Sequence, residues 1–135
     1  IIFKILFKLS CFIAQTTARD IQGAAELIRQ GMEHKGFAFI NIFSPCVTYN
    51  PKNTYDWFAE HIKPLAEIEG YDPSNKMHAL DALEKYDGLM TGVIYQDTTQ
   101  KDYQAKLTHS LATPLTELSL ELDKDVFETW KKSYM

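Results

Sequence analysis

The residue most able to do chemistry in this chain is Cys46, in the stretch SPCVTYNPKN from Ser44 to Asn53. A thiolate is a nucleophile and a soft ligand, so this residue type suits redox chemistry, zinc or an iron–sulfur cluster. Either metal site normally takes four protein ligands, and Cys11 lies too far upstream to form a CxxC pair with it. A lone cysteine is by default a small hydrophobe. Thr48, Asn50 and Asn53 stand in the same stretch, where their side chains either hydrogen-bond a ligand or satisfy turn backbone groups. The histidines His34, His61, His78 and His109 form no HExxH pair. His34 reads as a cation beside the last carbonyls of a helix. His61 and His78 read as helix-surface residues. Tyr55 and Trp57 read as core or interface aromatics before ligand-stacking groups. No GxGxxG fingerprint, P-loop or GxSxG elbow occurs.

The elements that must position Cys46 follow from periodicity. Asp20 to Lys35 reads as a helix capped by Asp20, with Ile21, Ala24, Ala25, Leu27, Ile28 and Met32 near helical spacing and Gly36 at its stop. Phe37 to Phe43, FAFINIF, reads as a strand buried on both faces, as in a parallel sheet covered by helices. Helix, glycine, buried strand and polar loop make the return half of a βαβ unit. Loops beyond the carboxyl ends of such strands commonly carry sites, and Cys46 falls in one. A second helix is expected from a cap at Asn53, with Trp57, Phe58 and Ile62 on its apolar side and Pro64 as its limit. Gly70 to Ser74 reads as a turn, with Ser74 capping a third helix through Met77, Ala79, Leu80, Ala82 and Leu83. Asp87-Gly88 is a turn before a strand from Leu89 to Tyr95, in which Gly92 marks close approach or bending. A last helix is expected within Leu115 to Trp130.

Composition bounds the function class. The chain has 135 residues, 45% of them hydrophobic, and a formal charge of -4. That is enough for one folded domain, and its mild acidity argues against nucleic-acid binding. Two cysteines fit a reducing, cytoplasmic setting better than a disulfide scaffold. The start, IIFKILFKLSCF, is apolar but interrupted by Lys4 and Lys8, too short and too charged to span a membrane. It reads instead as a buried strand or helix edge. The start without methionine suggests missing upstream sequence.

The run EHKGFAFINIFSPCVTYNPKNTYDWF, from Glu33 to Phe58, closely resembles the β subunit of 2-oxoacid:ferredoxin oxidoreductases of the pyruvate and 2-oxoglutarate type. The resemblance continues through GYDPSNKMHALDAL and into GLMTGVIYQD. It implies an α/β fold, the carboxyl-terminal half of a thiamine diphosphate-binding domain with a mostly parallel sheet flanked by helices, over residues 1–101. Residues 102–135 are expected as a helical tail or subunit-contact arm. The implied chemistry is CoA-dependent oxidative decarboxylation of a 2-oxoacid, with electrons passing to ferredoxin and an α subunit as partner. The implied cofactors are thiamine diphosphate, Mg2+ and a [4Fe-4S] cluster.

Under that resemblance Cys46 becomes the fourth cluster ligand, and Thr48 and Asn50 belong to the cofactor loop, shaping it or hydrogen-bonding beside the ligand. The other three cluster ligands, and the GDG motif and asparagine that hold the magnesium diphosphate, have no counterpart in this sequence. The chain is therefore expected to be a fragment, inactive alone and holding no cofactor stably by itself. A non-catalytic subunit-association remnant and a small α/β binding module are the alternatives. One departure stands out: Gln15 follows CFIA where the family usually has arginine.

Overall fold

The computed structural model describes residues 11–106, 115–117 and 123–133. It divides into two compact units, with the boundary between Tyr103 and Gln104. The first carries the sheet: β1 (Cys11–Thr17), α1 (Ile21–Glu33), β2 (Phe37–Phe43), α2 (Tyr55–His61), β3 (Lys63–Pro64), a 3-10 turn at Leu65–Glu67, α3 (Lys76–Lys85) and β4 (Met90–Gln96). The strand order is β2-β1-β4-β3. β1 runs parallel to β2, β3 parallel to β4, and β1 antiparallel to β4, so the α/β sheet is mixed but mostly parallel.

Alternation along β1 sorts the core into two layers. Phe12 and Ala14 turn to one face, where Leu27 of α1 covers them together with Ala38, Ile40 and Val93. Ile13 turns to the other, meeting Leu65, Ala79, Ala82, Leu83, Met90, Ile94 and Tyr95. Helices thus cover both faces, α1 on one and α3 on the other. Ile94 and Tyr95 are chain neighbours yet share one cluster, because the ladder slips between Ile13↔Tyr95 and Ala14↔Val93 and leaves Ile94 as a bulge. Gly92, at φ +115°, sits beside this irregularity with its Cα turned toward Leu65, where a Cβ would stand 3.5 Å from the Leu65 Cβ.

The helix boundaries follow capping chemistry. Asp20 caps α1 by accepting a bond from the Gly23 amide at 2.9 Å, as its sequence position predicts. Two other caps fall one residue later than expected. Thr54, not Asn53, accepts from the Trp57 amide at 3.3 Å. Asn75, not Ser74, accepts from the Met77 amide at 2.9 Å. Asn53 and Ser74 are engaged in the preceding turns, Ser74 through its hydroxyl bond to Asp72 at 2.8 Å. Met77 lies on the exposed side of α3 instead of in the core. Asp87 and Gly88 both adopt positive φ, 50° and 72°, in the tight turn entering β4.

Two further expectations are corrected. β2 is not buried on both faces: it is an outer strand of the described sheet, and Phe37 and Ile42 are exposed. The fully covered strand is β1, between β2 and β4. His34 is not a cation serving the carbonyls of α1. It is the residue ending that helix, its ring packs 5.8 Å from Phe12, and Nε2 is shielded without a hydrogen-bond partner. Burial lowers its pKa against the opposing pull of Asp97, which favours neutral imidazole. Gly36 lies two residues past that cap, at φ +116°.

A single helical turn, α4 (Tyr103–Lys106), begins at the boundary between the units. In the second unit a 3-10 turn occupies Leu115–Glu117 and α5 spans Lys124–Ser133, so the single helix expected within 115–130 starts later and ends later. Asp123 explains its start, accepting bonds from the amides of Asp125 and Val126. Residues 1–8 and His109 lie outside the described residues. No described helix is long and apolar enough to cross a membrane.

Candidate functional site

Because β1 and β2 are parallel, both release their chains at the same end of the sheet. The Ala18 amide donates to the Phe43 carbonyl at 2.8 Å and carries the pairing one step beyond the ladder. From there β1 turns through Arg19 into α1, while β2 opens into the Cys46 loop. The Cys46 carbonyl accepts from the amides of Tyr49 and Asn50, at 3.2 and 2.8 Å, which closes a tight turn immediately after the thiol. The Asn50 side chain orders the second half. Its Oδ1 accepts from the amides of Lys52 and Asn53, and its Nδ2 donates to the Asn53 Oδ1 at 3.1 Å. Asn50 therefore spends its amide inside the loop. Thr48 is exposed on the same turn, and Cys46 is an exposed free thiol.

Beside the loop a cavity of about 170 Å³ opens between the strand ends and α2, with Thr16, Thr17, Arg19, Pro45, Phe58 and Thr91 among its walls. Arg19 reaches from the β1–α1 turn to Asp56 in the first turn of α2, at 3.0 Å. Both side chains are largely exposed, so this pair adds little to stability, yet it links the β1–α1 turn to α2. Phe58 stacks on Phe43 at 4.9 Å, which seats α2 against the end of β2. Trp57 stands edge-on to Phe58 at 5.1 Å and stacks on His61 at 4.2 Å. His61 Nδ1 lies 2.7 Å from the Trp57 carbonyl, and since a carbonyl only accepts, that nitrogen carries the proton. Trp57 is thus committed to an aromatic row within α2.

His78 is committed too: its Nδ1 accepts from the Asp72 amide at 3.1 Å and holds the turn that leads into α3. Asp72 sits below the usual carboxylate range, chiefly because the Ser74 side chain and amide donate to it. Both histidines thus spend Nδ1 on a backbone group. Among the described residues, no three of His, Cys, Asp and Glu gather as a metal site. A four-thiolate cluster therefore does not fit the described residues alone.

Gln15 is the polar residue whose role the sequence did not reveal. It is 1% exposed, and its Nε2 donates to the carbonyls of Gly88 and Met90 while its Oε1 accepts from Asn41. The available signal was an amide inside the strand run CFIAQTT, since a buried amide must find partners. An arginine in this place would bury a charge.

Residues 46–110 match the family of the C-terminal region of the pyruvate ferredoxin oxidoreductase beta subunit. A 2-oxoacid:ferredoxin oxidoreductase subunit beta from Sulfolobus sp is 32% identical over 106 residues, 71% of this chain and 35% of that protein. The subunit beta of 2-oxoacid:ferredoxin oxidoreductase 2 from Aeropyrum pernix is 33% identical over 106 residues, 71% of this chain and 34% of its own length. Among solved structures, the Magnetococcus marinus 2-oxoglutarate:ferredoxin oxidoreductase, with 2-oxoglutarate, coenzyme A and succinyl-CoA bound, superposes with a TM-score of 0.71 at 28% identity. That superposition covers 94% of this chain and 42% of the solved one. The chain spans about a third of the length of the curated relatives it matches. By these matches the chain is similar to the carboxyl-terminal part of 2-oxoacid:ferredoxin oxidoreductase β subunits.

Proposed function

We propose that this chain serves as the carboxyl-terminal part of a β subunit in a 2-oxoacid:ferredoxin oxidoreductase, with Cys46 supplying one thiolate to a [4Fe-4S] cluster. The observation that carries the reading is the placement of Cys46: an exposed thiol, held by a closed turn, just past the carboxyl end of a parallel strand. The remaining three ligands, and the groups holding thiamine diphosphate and magnesium, come from outside the described residues in this reading. When bound, thiamine diphosphate supplies the carbon chemistry of decarboxylation and the cluster takes the electrons.

This chain's own contribution is positional. The Asn50 bonds fix the loop, the turn at Tyr49 and Asn50 sets the direction of the thiol, and Thr48 lies beside it on the open side. The α subunit, ferredoxin, coenzyme A and a 2-oxoacid are the partners and substrates that accompany this role, and a cytoplasmic location goes with it. The test is an anaerobic complex assembled with the complementary subunit segments, carrying either Cys46 or Cys46→Ala. Loss of one cluster's iron and sulfide, and of 2-oxoacid-dependent reduction of a low-potential acceptor, is expected in the variant. Full iron content with Cys46→Ala would sink the reading.

A further inference from the structure

We infer that Gln15 is a positioning residue that sets the geometry of the cavity and the thiol loop, through a neutral amide clasp spanning three elements. The inference rests on the reading of Cys46 given above only for its chemical consequence. The orientation of the amide is determined by its partners: the carbonyls of Gly88 and Met90 only accept, so the nitrogen must face them, at 2.6 and 2.8 Å. Its oxygen then faces Asn41, whose Nδ2 donates at 2.8 Å.

One side chain therefore ties β1 to β2 and to the turn entering β4, with both of its donors used. The anchored points are next to functional ones. Thr16, which follows Gln15, and Thr91, which follows Met90, both line the cavity. Met90 and Thr91 also pair with Lys63 and Pro64, so the clasp reaches the cavity wall behind α2. On the other side Asn41 lies three positions before Ser44, where the thiol loop begins. Backbone ladders alone leave these strand ends free to fray, whereas a buried, fully bonded amide removes that freedom.

The test compares wild type with Gln15→Met, which keeps length and apolarity but removes the three bonds. Amide exchange is expected to quicken about tenfold at residues 41–46 and 88–92 and to remain unchanged in α1. In the assembled complex, the spectrum of the reduced cluster by electron paramagnetic resonance is expected to change shape. A uniform rise in exchange across the whole sheet, or an unchanged spectrum beside a lower melting temperature, overturns the inference and leaves Gln15 a general contributor to stability. Should Gln15→Met fail to fold, Asn41→Leu removes only the arm to β2, and the faster exchange should then be confined to residues 41–46. The two readings separate cleanly: a wild-type signal that survives Cys46→Ala refutes the cluster assignment, and the exchange pattern then decides on Gln15 by itself.

Discussion

The Tyr71 hydroxyl donates to the carbonyl of Ile94, the bulged residue of β4. A bulge leaves a backbone group without a ladder partner, and this phenol supplies one from the loop before α3. Tyr71→Phe removes that donor and leaves the carbonyl unsatisfied. A loss of about 1 kcal/mol in unfolding free energy is expected, read from denaturant melts.

The same phenol makes stability depend on alkaline pH. Burial pushes the Tyr71 pKa up from 10.0 to about 12, with Asp72 adding to the shift. The folded state favours the neutral phenol, so this contribution is complete below pH 10 and is lost as the pH rises toward 12. Wild type should therefore lose more melting temperature than Tyr71→Phe across that interval. Equal losses would show that Tyr71 does not carry the effect.

His34 predicts the opposite, acid-side dependence. Its folded pKa lies below 6.5, chiefly through burial, so the stability it contributes is complete above 6.5 and falls as the pH drops below that value. His34→Gln should flatten this part of the pH–stability curve. Carboxylates titrate lower, and their contribution is common to both proteins.

Asp20 and Gly23 should be energetically coupled. A Cβ on Gly23 would lie 1.9 Å from the Asp20 Oδ2, inside the cap itself. Asp20→Ala should cost about 1 kcal/mol. Gly23→Ala gains up to about 1 kcal/mol of helix propensity but displaces the cap, so in wild type the gain is largely lost. In the Asp20→Ala background the gain should appear in full. Additive melting shifts across the four proteins would contradict this coupling.

β2 offers the last prediction. It is an uncharged run of 7 residues at the outside of the described sheet, with Ile42 39% exposed. Such an edge invites pairing with another strand. Ile42→Lys should reduce concentration-dependent light scattering of the chain while leaving its circular dichroism spectrum unchanged. Scattering unaffected by the lysine would place self-association elsewhere.

Local chemistry made several features legible in the order of residues alone. Asp20 capping α1, the strand FAFINIF, the Asp87-Gly88 turn and the special backbone at Gly92 each follow from residues within a few positions of one another. The loop around Cys46 was legible for the same reason, because a polar turn after an apolar strand has few other conformations. Caps at Asn53 and Ser74 were misplaced by one residue because several adjacent side chains compete for the same amides. Burial was another matter. Whether FAFINIF lies inside or outside depends on strand order, which is decided by contacts between residues far apart in the chain. His34 packs against Phe12 of β1, and Gln15 finds its partners at positions 41, 88 and 90. Sequence alone thus determined which residues could make helices, turns and a thiol loop. Only the tertiary structure decided which polar groups are buried and what satisfies them, because desolvation and hydrogen bonding depend on neighbours brought together by the sheet.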